Sequence, residues 1–478
     1  MEQVVNVKHL SCKTADGTKL LDDVSLEVRA GECVLLCGRS GAGKTTLTKC
    51  LNGLIPNFEP GITRLGSVSV CGNDPAVCEA YELALDVGNV FQNPKSQFFN
   101  LTSDDELAFG LEVAGVDPDT IDERMAYATD ALAIENLRGR NVNHMSGGEK
   151  QSLVFASVEV ANPALYILDE PTANLDHEAT AKIRSQIEVA LAEGKAVIVA
   201  EHRLDFIADL IDRALLINDG RIERVMTSED LLSLTPEELE KMGLRSPQHG
   251  RTSAAHAMPR SLPVGDDEAP GLSVRNLTVA RKKAGVFKPV SFDVAPGSVL
   301  GIIGANGAGK TTMLRALAGL ERHAAGSVVL DGTELNRKQR RRLFAYVMQD
   351  VNHQLFSDSV RAECEMSLAA DIAPEEGQRR IDEVLEKLDL TDKQQMHPMA
   401  LSGGQKQRLA IASCLLSGRQ VLLMDEPTSG LDFSHMIEVA ELIRGLANEG
   451  LIVCVATHDG EFMERACDCV IEIGGGRD

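Results

Sequence analysis

Val24, Leu26 and Val28 alternate with polar residues, the period of a strand with one buried face. A turn ending at Gly31 follows, and then an unbroken apolar strand, Cys33 to Cys37. The same phrase returns later. Val290, Phe292 and Val294 alternate, Pro296-Gly297 turns, and Val299 to Ile303 form the apolar run. Residues 102–140 read as helices broken by the turn Val116-Asp117-Pro118, and Leu153, Ala156 and Val160 recur at helical spacing. Two further apolar runs, Ala164 to Leu168 and Val421 to Met424, end in the acids Asp169-Glu170 and Asp425-Glu426. Another two, Ala196 to Ala200 and Leu451 to Ala456, end just before His202 and His458.

These landmarks are an internal repeat. Ser146 to Asp169 and Ser402 to Asp425 are both separated by 23, and Asp169 to His202 and Asp425 to His458 both by 33. One interval differs: Lys44 to Gln92 is 48 and Lys310 to Gln349 is 39. The nine extra residues are expected in the loop around Pro56, Pro60 and Gly61. Between the repeats, residues 244–270 lack periodicity and are rich in Pro, Ser, Ala and Gly, which predicts a linker between domains at 1–243 and 271–478.

Each apolar lead-in strand opens into a glycine-rich loop. The first is Gly38, Arg39, Ser40, Gly41, Ala42, Gly43, Lys44, Thr45 and Thr46; the second is Gly304, Ala305, Asn306, Gly307, Ala308, Gly309, Lys310, Thr311 and Thr312. Both fit G-x-x-x-x-G-K-[ST], in which backbone N–H groups and the N-terminus of the next helix cradle phosphates. Lys44 and Lys310 would reach the outer phosphates, and Thr45 and Thr311 would hold Mg²⁺. Acids at the carboxyl ends of parallel strands lie where ligands of α/β sheets bind. Asp169 and Asp425 suit a Mg²⁺ hydration shell, and Glu170 and Glu426 suit polarising an attacking water. Ser146-Gly147-Gly148 with Glu149, and Ser402-Gly403-Gly404 with Gln405, form capping boxes whose glycines leave helix N–H groups uncovered. By residue type alone, a histidine after a strand reads as structural.

The 478 residues exceed what one core accommodates, and 44% hydrophobic with 25% charged residues is ordinary for a globular protein. A net charge of −23 argues against a nucleic-acid partner. No apolar run reaches the 18 or so residues a membrane-spanning helix needs, and the N-terminus has no signal-peptide stretch, so a cytoplasmic location is expected. The 11 cysteines are scattered without a C-x-x-C pair, which reads as buried reduced thiols.

Loop, SGG motif, Asp-Glu and His in that order, twice, resemble the ATP-binding cassette ATPases. The resemblance implies an α/β fold of two tandem P-loop domains. Each would have a mainly parallel core sheet, an antiparallel β subdomain and a helical subdomain. It implies ATP and Mg²⁺ as cofactors, with Gln92 and Gln349 joining both the metal and the catalytic sites and His202 and His458 the catalytic ones. It also implies pairing of the two cassettes within the chain rather than an obligate homodimer. One site would then be closed by Ser402 to Gly404 and the other by Ser146 to Gly148, with Asp176 and Asp432 between them. The text around Gln92, with a second glutamine five residues on (Gln97, Gln354), and the run Glu201 to Phe206 resemble the tandem ATPases of energy-coupling factor importers of vitamins and metal ions. That likeness implies a peripheral protein on the cytoplasmic face of the membrane. Its partners would be an integral-membrane scaffold and a substrate-binding membrane subunit, with no nucleic acid. A sugar or nucleoside importer ATPase, or a ribosome-associated cassette protein of the ABC-F kind, are the alternatives; the short neutral linker and the two intact glutamates favour neither.

Two departures from the family pattern carry expectations. Ser152 stands where the family, like Arg408 here, has arginine, so the Lys310 site is expected to be the slower. Thr14 and Arg281 stand where an adenine-stacking aromatic belongs, so binding is expected to rest on the phosphates. The acids Asp104, Asp105, Glu106, Glu363 and Glu365 are expected to form the docking surface for arginine-bearing helices of the scaffold.

Overall fold

The computed structural model describes residues 2–173, 175–248, 271–280, 288–369 and 372–474. They form two compact units, each repeating the same architecture. In the first, the strands are β1 (Gln3–Thr14), β2 (Lys19–Arg29), β3 (Cys33–Cys37), β4 (Ile62–Val70), β5 (Val87–Val90), β6 (Leu165–Asp169), β7 (Ala196–Ala200), β8 (Arg213–Asn218) and β9 (Arg221–Thr227). The alternating strands make an antiparallel sheet, β2-β1-β4. The continuous apolar runs make the core sheet β5-β6-β7-β3-β8-β9, parallel except for the last pair. This follows from burial: a strand covered on both faces carries apolar residues throughout. Cys33 to Cys37 are all fully buried. One apolar layer, with Val5, Leu36 and Leu47, lies towards the antiparallel sheet; the other, with Leu35, Leu153 and Ile183, lies towards the helices.

The second unit has β10 (Leu272–Val279), β11 (Val290–Val294), β12 (Val299–Ile303), β13 (Ala324–Leu330), β14 (Thr333–Glu334), β15 (Phe344–Val347), β16 (Val421–Asp425), β17 (Ile452–Ala456) and β18 (Cys469–Glu472). Its antiparallel sheet is β11-β10-β13-β14, and its core sheet, β15-β16-β17-β12-β18, is wholly parallel. The expected fold class is borne out.

Each unit also carries a helical region. In the first it comprises Ser103–Val113, Pro118–Ala131 and Gly147–Ala161; in the second, Val360–Ser367, Pro374–Lys387 and Gly403–Leu416. Asp117 starts its helix by accepting the Thr120 N–H at 3.0 Å, with Pro118 in the first turn. Of the nine extra residues, four lie where the prolines placed them: ten residues separate Leu51 from Ile62, but six separate Leu317 from Ala324. The rest lengthen β4 and the segment before β5. From 249 onward the expected linker lies outside the described residues. Leu244 and Arg245, at its start, are buried in the first unit.

Candidate functional site

The phosphate-type loops sit between β3 and the helix Lys44–Leu51, and between β12 and the helix Lys310–Leu317. Gly38 has φ 139°, and a Cβ there would lie 2.1 Å from the Ile217 carbonyl oxygen; Gly304, at φ 153°, would meet that of Ile473 at 2.5 Å. Any other residue would push the loop off its sheet. Both lysines are buried and fold back on their loops. Lys44 Nζ donates to the carbonyls of Gly38 (2.9 Å) and Arg39 (3.0 Å), and Lys310 Nζ to that of Gly304 (2.7 Å). Burial lowers the pKa of Lys44, against the opposing pull of Glu170. A poorly hydrated ammonium at the mouth of an N–H cradle fits a phosphate. Thr46 and Thr312 lie one residue into the helices, and Arg39 lies against the carbonyl of Lys241.

The strand-end acids meet these loops. Thr45 Oγ1 donates to Asp169 Oδ1 at 3.2 Å. Burial, then the charge of Glu170, pushes Asp169 up to about 6, and burial likewise raises Asp425 against the hydrogen bond from Thr311. A buried carboxylate destabilised as an anion, beside a threonine hydroxyl, fits a hard divalent cation. Glu170 and Glu426 have φ of 47° and 48°, a left-handed conformation that residues with a Cβ seldom adopt. The N–H of each donates at 2.8 Å, Glu170 to Ala200 and Glu426 to Ala456, pinning the turn to the next strand. Gln92 Nε2 donates to Glu170 Oε2 at 2.6 Å, and His202 Nε2 lies 3.5 Å from the other oxygen, its pKa lowered by burial. In the second unit His458 Nδ1 is 2.8 Å from Glu426 Oε2, in ion-pair range but poorly aligned for a hydrogen bond, and Lys310 Nζ is 3.7 Å from the other oxygen. Gln349 is exposed just beyond β15.

Each unit thus gathers its own loop, acids and histidine, and in the first the glutamine reaches the glutamate. The SGG serines are engaged elsewhere. Ser146 and Glu149 exchange bonds of 2.7 and 3.3 Å, and Ser402 and Gln405 bonds of 3.0 and 3.3 Å, so both capping boxes form. Arg140 holds Glu149 at 2.7 Å. Gly147 and Gly403 face open space, whereas a Cβ on Gly148 would lie 2.7 Å from that of Ala179 and one on Gly404 3.3 Å from His435. Asp176 caps its helix by accepting the Ala179 N–H at 2.9 Å, and Asp432 precedes Phe433–Asn448. Thr14 ends β1, bonded to Asp16 and Thr18; Arg281 lies outside the described residues.

Two side chains at the site escape the motifs. Tyr346 donates its hydroxyl to Asp425 Oδ2 at 3.0 Å; the matching residue of the first unit is Asn89. Glu201 is 2% exposed, receives the Thr172 hydroxyl on Oε1 and leaves Oε2 without a partner among the described residues. Burial, then the charge of Glu170, pushes it up to about 8. Its sequence signal was available: an acid precedes the histidine in one repeat, and Thr457 in the other. The paired glutamines have a mechanical role. Gln97 accepts the Phe91 N–H at 2.8 Å and donates to Asn89 O at 2.9 Å; Gln354 does the same with Met348 and Tyr346 at 2.6 and 2.8 Å.

The acidic docking surface needs correction at Glu106 and Glu363, whereas Asp105 and Glu365 are exposed. Glu106 is 6% exposed and accepts the N–H groups of Phe99 (3.1 Å) and Asn100 (2.8 Å). Glu363, 2% exposed, accepts those of Phe356 (2.9 Å) and Ser357 (2.8 Å). Both are internal staples of the loop rather than surface charges. A backbone turn with inward N–H groups binds a carboxylate whenever one is within reach.

Comparison with known proteins agrees with this geometry. The profile of the ABC transporter family matches residues 21–173 and 287–429. A "putative ABC transporter ATP-binding protein" of Treponema denticola is 41% identical over 469 residues, 97% of this chain and 94% of that one. A "putative HMP/thiamine import ATP-binding protein YkoD" of Bacillus subtilis is 33% identical over 494 residues, 98% and 90% of the two chains. Among solved structures, RNase-L inhibitor shares the fold at TM-score 0.61 and 23% identity, over 96% of this chain and 88% of that one. With both halves of the sequence matched and full-length relatives above 30% identity, this chain belongs to the ABC transporter family, as an ATPase carrying two ATP-binding cassettes in a single polypeptide.

Proposed function

We propose that this ATPase energises a membrane importer of the energy-coupling factor type, whose cargo is a small vitamin-like molecule or a metal ion. The reading is supported by the Bacillus subtilis relative, described as a thiamine-type import protein, and by the paired glutamines at the end of the edge strands. No helix among the described residues is long and apolar enough to cross a membrane, so transport would require membrane partners.

The observation that carries the mechanism is the anchoring of Glu170. Its backbone is held in a left-handed turn and its carboxylate is fixed by Gln92 and faced by His202. A carboxylate fixed at the end of a core strand serves as base and orienter for water at the outermost phosphate, and Glu426 with His458 repeats the arrangement. Lys44 and Lys310 exchange loop carbonyls for phosphate oxygens when nucleotide binds. Thr45, Asp169 and Gln92, and Thr311, Asp425 and Gln349, would hold Mg²⁺, which neutralises phosphate charge.

Replacing both glutamates, Glu170→Gln with Glu426→Gln, is expected to preserve nucleotide binding and lower turnover by about 10²–10⁴. The assay is phosphate release from the complex with its membrane subunits. Turnover above a tenth of wild type would remove the assigned role.

A further inference from the structure

Consecutive residues at the end of β7 reach the turn that carries Glu170. Ala200 O accepts the Glu170 N–H at 2.8 Å, and His202 Nε2 lies 3.5 Å from Glu170 Oε1. Between them, Glu201 Oε1 accepts the hydroxyl of Thr172, two residues beyond Glu170. Arg203 Nη1 then donates to the Leu175 carbonyl at 3.1 Å, and the Leu175 N–H closes the turn on Thr172 O at 3.1 Å. Glu201 and Thr172 are both buried, and the N–H of Glu201 donates to Leu36 O of β3 at 3.2 Å. Glu201 is thus fixed to the core sheet by its backbone and grips the turn with its side chain.

The repeat provides an internal control. The outer contacts recur in the second unit: Ala456 O accepts the Glu426 N–H at 2.8 Å, and His458 Nδ1 lies 2.8 Å from Glu426 Oε2. The contacts of the two intervening side chains do not. Thr457 stands for Glu201 and Asp459 for Arg203. Thr457 Oγ1 accepts the Asp459 N–H at 3.0 Å, and Asp459 caps the helix Gly460–Ala466 by accepting the Phe462 N–H at 3.1 Å. Both side chains serve the start of a helix, and no helix lies between β7 and β8 in the first unit.

We propose that Glu201 is a positioning residue for the first site: through Thr172 it holds the turn that carries Glu170, by a contact that the second cassette lacks. The proposal rests on the reading of Glu170 as base and orienter of water. The left-handed backbone of Glu170 is a strained conformation that persists where its surroundings over-determine it. The Ala200 bond fixes that backbone at Glu170 itself, and the Glu201 bond fixes it two residues on, with Pro171 restricting rotation between them. Burial and the charge of Glu170 favour the neutral form of Glu201, which holds the turn without setting a second negative charge beside the water-activating carboxylate.

The test is ATP turnover by the complex with its membrane subunits, with kcat and KM read separately. Glu201→Ala and Thr172→Val should each lower kcat about five- to tenfold, inside the roughly 10²-fold that a misplacement of about 1 Å can cost, and leave KM and ATP binding within about twofold. The double variant should be no slower than the slower single, because both changes remove one contact. Glu201→Gln, which keeps an oxygen for the Thr172 hydroxyl, should recover most of the loss. Should Glu201→Ala fail to fold, Thr172→Val against Thr172→Ser, which keeps the hydroxyl, carries the same comparison. A purely structural role would lower stability in urea melts and leave the kcat of the folded variants at the wild-type value. That outcome, single losses that multiply in the double variant, or Glu201→Gln as slow as Glu201→Ala would each overturn this proposal alone. Turnover above a tenth of wild type in Glu170→Gln with Glu426→Gln would overturn the reading of Glu170 and the proposal with it.

Discussion

Glu201 is a buried acid with one oxygen unpartnered among the described residues, close enough to Glu170 to feel its charge. Its folded-state pKa, about 8, lies above the ordinary glutamate value of 4.5, so the native state holds a proton that the unfolded chain has lost. The Glu201 contribution to stability therefore falls as pH rises between those values and is gone above about 8, with a slope of up to about 1.4 kcal/mol per pH unit, while the buried cysteines, whose thiols burial pushes up, carry the loss on at higher pH. Asp169 contributes the same sign but is finished near 6, while His202, lowered by burial, contributes the opposite sign around its ordinary 6.5. The window from pH 7 to 8 thus belongs chiefly to Glu201. Urea melts across it should show a steady loss in the wild type, and Glu201→Gln should flatten that loss; parallel slopes would contradict the assignment. Sequence could place Glu170 at a strand end, because an acid after four apolar residues is a local pattern. It could not show the left-handed backbone at Glu170 and Glu426, which is set by the bond to the neighbouring strand.

At the scale of elements, strands and capping boxes were legible because their causes are local: alternation, continuous burial, and a serine three residues before an acid or amide. The two buried carboxylates of the helical regions were not. In sequence, Glu106 and Glu363 are merely acids in a first helical turn, where the dipole alone favours them. Their actual partners are N–H groups six and seven residues earlier, across a loop whose path is fixed by tertiary packing. A dipole role would cost about 0.3–1 kcal/mol on removal. Losing the charged acceptor of two part-buried N–H donors costs about 1.5–3 kcal/mol. Glu106→Ala and Glu363→Ala should each lower the urea midpoint by the larger amount with the slope of the transition unchanged, and a loss below 1 kcal/mol or so would restore the dipole account.

Over the whole molecule, the cassettes share a fold and differ in what surrounds their sites. The first has Glu201 and Asn89, the second Thr457 and Tyr346. Their SGG helices differ as well. Arg408 reaches Glu438 at 2.7 Å, joining Gly403–Leu416 to Phe433–Asn448, while its counterpart Ser152 is buried and joins nothing by charge. If each SGG turn completes the other cassette's site, the Lys44 site is backed by the braced helix and should turn over faster. Glu170→Gln should then cost more phosphate release than Glu426→Gln in the assembled transporter; equal losses would refute the asymmetry. The brace also bears on how such a chain tolerates recombination between its own halves. The residue matching Glu438 in the first unit is Lys182, so the two repeats differ at both positions, arginine with glutamate in one and serine with lysine in the other. Copying the second SGG helix alone into the first half would set an arginine against that lysine. Gene conversion that carries both helices would keep the arginine facing its glutamate, whereas conversion of the SGG helix alone would lose that brace.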